Sequence, residues 1–436
     1  MTHAVVNTVG ASLAELLAEA NINASQTLVV GFSGGIDSTV LLYAAHQFAQ
    51  QTGYPLTACY VNHGLSPNAG QWQQHCLKLC QQLAIPFTPL TVQVATGKQV
   101  STEAAAREAR YAALTAFCRD HDGVLLLGQH QDDQLETVLL QLKRGAGPQG
   151  LSGMPACYVR GTTTILRPML SVSRREVEQC ASDLSLPYIH DESNFDEQYD
   201  RNFLRHRVLP LLTARWPALA STVSRSASLC AEQTALLEKE ASQRLNAVML
   251  DTHRLSVTKL SEFSAPWQRA IVRQWFMLHS HNMPSQRQLQ EILDMLNAQQ
   301  DAAPKVTLGN VSLRRFREAL YWVPGEERVA TLEEQTLPIN QPVWLAALDL
   351  TITVTDNFAK PGNWTLQPVT LSYRITPAHT GHSKPLKQWF KQWGVPPWGR
   401  NPVAIVYREE QAMACVYPNN LLVLAGIPDE VVIKRV

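Results

Sequence analysis

The sequence predicts an α/β fold in which helices cover both faces of a parallel sheet, followed by a mainly helical domain and a small α+β domain. Over the first 210 or so residues, short apolar runs alternate with helical patterns, which is typical of parallel strands joined by crossover helices. The strand signal fades after residue 216, and β-like runs with many turn residues return from about residue 346.

The individual elements follow from these patterns. Strands are predicted where β-branched and aliphatic residues cluster, at 27–32, 56–61, 86–94, 123–127 and 163–166. Helices are predicted where the apolar spacing becomes helical, beginning near 38, 102, 133 and 173. A hairpin is predicted at 306–324, and the stretch 326–345, poor in bulky apolar residues and containing two prolines, is predicted to be a linker. The predicted domains are therefore 1–215, 216–325 and 346–436.

The composition excludes several classes of protein. Lys+Arg and Asp+Glu are both 37 and 45% of the residues are hydrophobic, as in an ordinary globular chain. No apolar run reaches the roughly 18–20 residues of a membrane span, and no secretory signal pattern begins the chain. We therefore expect a cytoplasmic protein with no membrane partner. The eight scattered cysteines lack a zinc or C-x-x-C pattern, which predicts free, buried thiols.

The most informative stretch is the loop Ser33-Gly34-Gly35-Ile36-Asp37-Ser38, which lies between a predicted strand and a helix. Adjacent glycines permit a close backbone approach, and free amides at a helix N-terminus attract anions such as pyrophosphate. The loop is neither a Walker A nor a G-x-G-x-x-G sequence. The alternative is a glycine-rich turn that only caps the helix.

A second stretch begins a helix with acidic residues. Asp132 and Asp133 fall in its first turn, and Asp132 and Glu136 share a face one turn apart. Such carboxylates can hold Mg²⁺ or an ammonium group, or accept a proton. The alternative is capping of the helix with no chemistry.

The loop resembles the S-G-G-x-D-S signature of the PP-loop ATP pyrophosphatases. The stretch 125–154 (LLLGQHQDDQLETVLLQLKRGAGPQGLSGM) resembles more specifically the tRNA(Ile)-lysidine synthetase family, whose pattern is H-x-D-D-Q-x-E-T followed by R-G-x-G-x-x-G-L. Matching segments at 60–65, 101–114, 166–170 and 190–212 extend the resemblance over about 30–212. One variation is Gln129, where many relatives carry a second histidine.

The resemblance implies a Rossmann-like catalytic domain that cleaves ATP between its α and β phosphates, with ATP and Mg²⁺ as cofactors. It implies ligation of free L-lysine to the 2-carbon of the wobble cytidine of an isoleucine tRNA with a CAU anticodon, through an adenylated tRNA. The product, lysidine, changes codon and charging specificity from methionine to isoleucine.

The resemblance also implies roles for individual residues. Ser33 to Ser38 cradle the ATP phosphates, His63 contacts the nucleotide, and Asp37 lies near the reacting centre. Asp132, Asp133 and Glu136 hold Mg²⁺ or the lysine ammonium, with the division between them left open; the candidate Mg²⁺ ligands are Asp37, Asp132 and Asp133. The predicted substrate and tRNA contacts in this domain are Arg107, Arg110, Tyr111, His130, Arg144, Arg201, Asn202 and Arg205.

Three of these assignments have plain structural alternatives. Arg107 is also placed to pair with Glu103 on a solvated helix face. His63 is also compatible with a structural histidine. Arg201 and Arg205, at i and i+4, are predicted to bind phosphate, but they would equally suit surface ion pairs with the acidic residues just upstream.

The segment 357–408 contains seven basic residues and no acidic one, with tryptophans interleaved. Lys and Arg neutralise phosphates, so this asymmetry in a chain of zero net charge indicates an RNA-binding surface. The helical spacing of PLKQWFKQWGV favours core positions for its tryptophans. The predicted tRNA contacts here are Lys384, Lys387, Lys391 and Arg400. By resemblance, the segment 383–400 belongs to a domain that grasps the tRNA acceptor stem, and the middle block is a tRNA-recognition domain.

Other hypotheses are another PP-loop enzyme, such as a tRNA thiolase or an amidotransferase-coupled synthetase, and an inactive RNA-binding protein that keeps the fold. A thiolase needs paired cysteines, and a glutamine-dependent synthetase needs a glutaminase block, neither of which the sequence contains. The intact acidic residues argue against an inactive protein. The oligomeric state is left open, with a homodimer as one alternative.

Overall fold

The computed structural model describes residues 3–64, 66, 68–93, 102–189, 197–298, 304–325, 331–378, 380–428 and 431–435. The chain divides into two compact units, Met1–Lys239 and Glu240–Val436. Across the described residues, no helix combines the length and the apolar character that crossing a bilayer requires.

The first unit is built on one six-stranded sheet. Its strands are β1 (Thr27–Gly31), β2 (Leu56–Asn62), β3 (Phe87–Thr91), β4 (Gly123–Leu126), β5 (Cys157–Arg160) and β6 (Thr163–Leu166). They lie in the order β3-β2-β1-β4-β6-β5. All neighbours pair in parallel except β5, which is antiparallel to β6 at the edge. The mostly parallel sheet is as predicted; β5 was not predicted, because a four-residue edge strand leaves no apolar run.

Helices cover both faces of this sheet, as predicted. They are α1 (Ala4–Glu19), α2 (Ile36–Thr52), α3 (Ala69–Gln82), α4 (Thr102–Asp120), α5 (Gln131–Lys143), α6 (Pro148–Leu151), α7 (Arg174–Asp183), α8 (Asp200–Phe203), α9 (Leu209–Arg215) and α10 (Leu219–Val248), which runs past the unit boundary. Leu28 of β1 packs in one core with Leu41 of α2, whereas Val29 packs in the opposite core with Leu114 of α4. Alternate residues of a central strand therefore anchor the two layers.

Between α8 and α9 the chain forms a turn of π-helix, Leu204–Val208. The residues 200–215 are therefore helical throughout, with one wide turn in the middle. Such wide turns inside helices are often found at functional sites.

The first part of the second unit combines helices with a sheet. Its helices are α11 (Val257–Ser261), α12 (Ala265–Leu278) and α13 (Gln286–Asp294), and its strands are β7 (Met249–Asp251), β8 (Arg254–Ser256), β9 (Lys305–Leu308), β10 (Val311–Phe316) and β11 (Ala319–Pro324). The strands form an antiparallel sheet in the order β7-β8-β11-β10-β9. The predicted hairpin is β10–β11, and Trp275 and Phe276 of α12 pack edge-on against Trp322 of β11.

The remainder of the second unit is mostly β. Its elements are β12 (Gln335–Thr336), β13 (Val343–Leu345), β14 (Leu350–Asp356), β15 (Trp364–Pro368), β16 (Arg374–Ile375), β17 (Lys384–Pro385), α14 (Leu386–Trp393), β18 (Ala404–Arg408), β19 (Gln411–Tyr417), β20 (Asn420–Val423) and β21 (Val431–Arg435). They form sheets of five (β12-β15-β18-β19-β20), three (β13-β14-β21) and two (β16-β17) strands. Of the predicted linker, 326–330 lies outside the described residues, and the rest contains β12 and β13; the domain boundaries remain predictions.

Two predictions, buried tryptophans in α14 and free buried thiols, hold for most of the residues concerned. Trp389 and Phe390 of α14 are buried, whereas Trp393 and Trp398 are half-buried. All eight cysteines are free, and six of them are buried. Burial raises the pKa of Cys59, Cys76 and Cys80 to about 12, so these thiols stay protonated.

Candidate active site

The Ser33–Ser38 loop joins β1 to α2 at the carboxyl end of the sheet. Gly34 has φ +83°, and a Cβ there would lie 2.7 Å from Ile189 Cδ1 and 2.8 Å from Cys76 Sγ. The Ile189 amide also donates to the Gly34 carbonyl at 2.9 Å. Both the backbone conformation and the surrounding side chains therefore require glycine at this position.

The serine hydroxyls hold the loop in shape. Ser38 Oγ accepts from the Ser33 amide at 3.2 Å and donates to the Gly35 carbonyl at 3.0 Å, and it lies 3.1 Å from Ser33 Oγ. The first turn of α2 follows directly, so its free amides face the same region. This is the geometry of an anion-binding loop.

Close packing at Gly128 brings the acidic start of α5 beside this loop. A Cβ at Gly128 would lie 3.1 Å from the carbonyl carbon and oxygen of Asp37. A side chain there would be tighter than ordinary van der Waals contact, so glycine favours the close passage of the chain leaving β4 beside α2. The first turns of α2 and α5, with their carboxylates, therefore share one edge of the sheet.

Three of the predicted carboxylates surround one histidine ring. His130 Nε2 lies 3.6 Å from Asp37 Oδ1 and 3.5 Å from Asp133 Oδ2, and Nδ1 lies 3.8 Å from Asp132 Oδ2. The ring is only 1% exposed, and neither nitrogen has a hydrogen-bond partner among the described residues. Burial raises the pKa of Asp37 above its ordinary value, against the opposing effects of His130 and Arg174.

The fourth carboxylate, Glu136, is buried and held by two arginines. Arg205 Nε donates to Glu136 Oε1 at 2.7 Å and its Nη2 to Oε2 at 2.9 Å, while Arg201 Nε donates to Oε2 at 2.9 Å. Arg205 Nη2 also reaches Asp133 Oδ1 at 3.2 Å. Burial alone would raise the pKa of Asp133, but His130, Arg201 and Arg205 hold that pKa below its ordinary value.

The helical segment 200–215 thus turns Arg201 and Arg205 towards α5. Their guanidinium groups are half-buried and engaged with Glu136 and Asp133, which differs from both the phosphate contact and the surface ion pairs considered for them. Asn202 lies beside them in α8. Phosphate binding by these arginines remains a prediction.

A second group of predicted residues lies at the end of β2 and on α4. Arg110 Nε donates to His63 Nε2 at 3.2 Å, and burial together with Arg110 lowers the pKa of His63 to about 4, so the ring is neutral. Arg107 Nη2 donates to the Tyr111 hydroxyl at 3.4 Å. Tyr111 is 5% exposed, so the exposed groups here are Arg107 and Arg110. The Glu103 side chain lies outside the described part of the chain, and so does its suggested pair with Arg107.

Sequence reasoning missed two arginines. The Arg174 amide donates to Asp132 Oδ2 at 2.7 Å, and its Nη1 lies 3.3 Å from Asp37 Oδ1. Arg167 is 4% exposed and donates to Gln129 Oε1 at 3.0 Å, which gives the variant Gln129 a partner. Arg167 lies in the segment 166–170 (LRPML), which matches the family, so the sequence carried a signal for it. Nothing in the sequence around Arg174 distinguishes it from a surface residue at the start of a helix.

The basic segment of the second unit contains both exposed and engaged side chains. Lys387 and Lys391 are exposed, and Lys384 Nζ lies 4.8 Å from the centre of the Trp389 ring. Arg400 Nε donates to the Val395 carbonyl at 2.9 Å. Arg408 is different: its Nε donates at 2.7 Å to the fully buried carboxylate of Asp356, which lies just before the acid-free segment. Arg144, at the end of α5 in the first unit, is exposed.

An anion-binding loop after the first strand of a mostly parallel sheet, with carboxylates at the same edge, is the arrangement of a nucleotide-binding α/β protein. Consistent with this, residues 6–212 match the family described as PP-loop domain. Residues 255–321 match the TilS substrate binding domain, and 365–417 the TilS substrate C-terminal domain.

Curated relatives narrow the class further. A tRNA(Ile)-lysidine synthase from Vibrio cholerae is 40% identical over 400 residues, covering 89% of this chain and 90% of that protein. Proteins of the same name from Pectobacterium atrosepticum and Shewanella woodyi are each 37% identical, covering 89% and 95% of this chain and 90% and 93% of their own lengths. The chain belongs to the tRNA(Ile)-lysidine synthase family, so the resemblance is confirmed.

Proposed function

We propose that this protein uses ATP to join free L-lysine to the wobble cytidine of an isoleucine tRNA with a CAU anticodon, forming lysidine in the cytoplasm. The observation that carries the proposal is the 40% identity, over nearly nine-tenths of both chains, to proteins named for this product. In this proposal the loop and the carboxylates at one sheet edge would supply the corresponding chemistry.

The reaction has two steps in this proposal. The cytidine 2-carbonyl oxygen attacks the α-phosphorus of ATP, and pyrophosphate leaves, which gives an adenylated tRNA. The lysine ε-amine then attacks carbon 2 of the cytidine, which carries the adenylated oxygen. The amine loses a proton and AMP leaves. The Ser33–Ser38 loop and the α2 N-terminus would bind the phosphates, because their amides donate to oxyanions without reorganising.

Mg²⁺ fits part of the predicted ligand set. Asp37 and Asp132 are 33% and 29% exposed, whereas Asp133 is 13% exposed and bonded to Arg205. Within the described residues, no group of three or more His, Cys, Asp or Glu side chains is arranged to hold a metal ion. Mg²⁺ commonly takes one or two carboxylates together with substrate phosphates. Asp37 and Asp132 are therefore the proposed ligands, and the ion would neutralise phosphate charge.

Lysine as a free amino acid carries a carboxylate and two ammonium groups. The cluster of Asp133, Glu136, Arg201 and Arg205 presents both signs of charge within about one hydrogen-bond length of each other. We assign lysine binding to this cluster, with the arginines towards its carboxylate and Asp133 or Glu136 towards an ammonium group. These charges are already paired in the free protein, so the ligand would exchange with existing partners.

The tRNA would contact exposed basic groups in both units. In the first unit these are Arg107, Arg110 and Arg144, and in the second Lys387 and Lys391, with the half-buried Lys384 and Arg400 beside them in the same segment. Tyr111 is buried, which disfavours direct stacking of a base on its ring.

A sulfur-transfer reaction is disfavoured, because the thiols of Cys76 and Cys80 have a pKa of about 12 and nucleophilic sulfur requires a thiolate.

The test is incorporation of labelled lysine into unmodified CAU-anticodon isoleucine tRNA, with and without ATP. Methionine tRNA, which has the same anticodon, is the control. ATP-dependent labelling of the isoleucine tRNA alone is expected. Absence of labelling despite ATP–pyrophosphate exchange would contradict the proposed product but keep the PP-loop chemistry.

A further inference from the structure

Arg174 contacts predicted site carboxylates on two different elements, through its main-chain amide and through its guanidinium. Its main-chain amide, at the start of α7, donates to Asp132 Oδ2 at 2.7 Å. Its guanidinium reaches Asp37 in the first turn of α2, 137 positions away in the chain. A capping box formed by Ser173 and Glu176 fixes the start of α7, so the position of Arg174 is well determined.

The two side-chain contacts of Arg174 differ in quality. Nε donates to Glu178 Oε1 at 2.7 Å, a normal charge-assisted bond that orients the stem. Nη1 lies 3.3 and 3.4 Å from the two oxygens of Asp37, longer than the about 2.7–2.9 Å expected of a strong ion pair. The Arg174 side chain also remains 37% exposed, so an incoming anion can reach it.

The other ion pairs of the site indicate what the long contact between Arg174 and Asp37 can do when a ligand binds. Arg201 and Arg205 are engaged by Glu136 and Asp133, which leaves Arg174, within the part of the chain that the structure describes, as the arginine paired with Asp37. Asp37 belongs to the Ser33–Ser38 loop (the phosphate loop), so the guanidinium of Arg174 lies at the rim of that loop. A triphosphate, which is strongly anionic, would compete with Asp37 for Arg174, and the cation that accompanies it would compete with Arg174 for Asp37.

We infer that Arg174 is a phosphate-binding residue that pairs with Asp37 in the free protein and contacts the β and γ phosphates when ATP binds. This inference rests on the proposed function, because it takes ATP as the ligand of the Ser33–Ser38 loop. It adds a residue that neither the sequence motifs nor the family match identifies.

The experiment compares direct binding of ATP and of AMP by calorimetry, with Mg²⁺ present and without tRNA or lysine. Arg174→Gln is expected to raise the Kd for ATP by about tenfold to a hundredfold, the usual range for loss of a charged hydrogen bond. The Kd for AMP, which lacks the β and γ phosphates, should change by less than about threefold. Arg174→Lys should fall between the wild type and Arg174→Gln.

Arg175→Gln is the matched control, because the next residue is an exposed arginine in the same helical turn and its loss changes the net charge equally. Equal weakening of ATP and AMP binding, or equal effects of Arg174→Gln and Arg175→Gln, would overturn the inference. An unchanged Kd for ATP in Arg174→Gln would overturn it as well. Failure of the wild-type protein to bind ATP at all would instead refute the proposed function and the inference with it.

Discussion

At the scale of single residues, Asp37 shows how the fold gives a carboxyl group unusual properties. It lies in the first turn of α2, where a negative charge is favoured by the helix dipole. Burial nevertheless raises its pKa, and the nearby His130 and Arg174 offset only part of that effect. A group that is costly to ionise in the folded state and lies beside a phosphate loop is typical of a functional position.

Asp37→Asn is therefore expected to reduce ATP-dependent lysine incorporation by about a hundredfold or more and yet to gain stability relative to the wild type as pH rises. Below its ordinary pKa the carboxyl is protonated in both the folded and the unfolded chain. As pH rises through the raised folded-state pKa, the folded wild type loses the stability that the neutral carboxyl contributed, whereas the amide has no charge to bury.

The measurement is the difference in melting temperature between variant and wild type at about pH 4.5 and about pH 7.5. Asp183→Asn is the control, because hydrogen bonds from Gln179 and His3 lower the pKa of this surface carboxyl. It should show no gain with rising pH. A difference for Asp37→Asn that stays constant or shrinks with pH would argue against burial as the dominant effect.

At the scale of elements, the contact between α5 and the helical segment 200–215 depends on one buried carboxylate. Glu136 is 1% exposed and accepts three hydrogen bonds from Arg201 and Arg205, which lie one turn apart where the chain enters the π-helical turn. Leu135 of α5 packs beside Glu136 with Leu209 of α9. An apolar contact and an ion-pair network thus join the same two elements.

Glu136→Gln is expected to lower the free energy of unfolding of the first unit by about 3 kcal/mol, because it removes the counter-charge of the half-buried Arg201 and one of the two counter-charges of Arg205. For a unit of this size that corresponds to a fall in melting temperature of roughly 6–12 °C. Glu197→Gln removes the exposed pair with Arg207 and should cost no more than about 1 kcal/mol. Similar melting temperatures for the two variants would contradict a structural role for the buried pair.

At the scale of the whole molecule, the chain has zero net charge, yet tRNA binding requires local positive charge. In the proposed tRNA contact this charge comes from the acid-free segment, where Lys387 and Lys391 are exposed on α14. Arg408 belongs to the same segment but pairs with Asp356, so its charge is neutralised inside the fold. The sequence count of seven basic residues therefore overstates the charge available to RNA.

Replacing Lys387 and Lys391 together with glutamine is expected to weaken tRNA binding and to reduce the slope of log affinity against log salt by about 2, roughly one for each phosphate that a lysine no longer neutralises. Lys434→Gln, a change at an exposed lysine outside the segment, should leave the slope unchanged. Parallel salt dependences for the double variant and the wild type would remove these lysines from the interface.

Local patterns made the phosphate loop, the acidic start of α5, most strands of the parallel sheet and the basic segment predictable. Each depends on residues that are close in sequence, where periodicity and glycine placement carry the information. The same reasoning missed β5, β7 and the partners of Arg174, because short strands leave no periodic run and a side-chain contact across 137 residues leaves no pattern.

The sequence by itself thus determined the class of fold and the family, and it predicted the candidate side chains of the site. Only the tertiary structure decided their state: which carboxylates remain accessible, which are neutralised by Arg201 and Arg205, and that the carboxylates surround a buried His130. The physical reason is that burial and ion pairing depend on how α2, α5, α7 and the segment 200–215 pack against one sheet edge, and packing brings together residues whose separation along the chain is arbitrary.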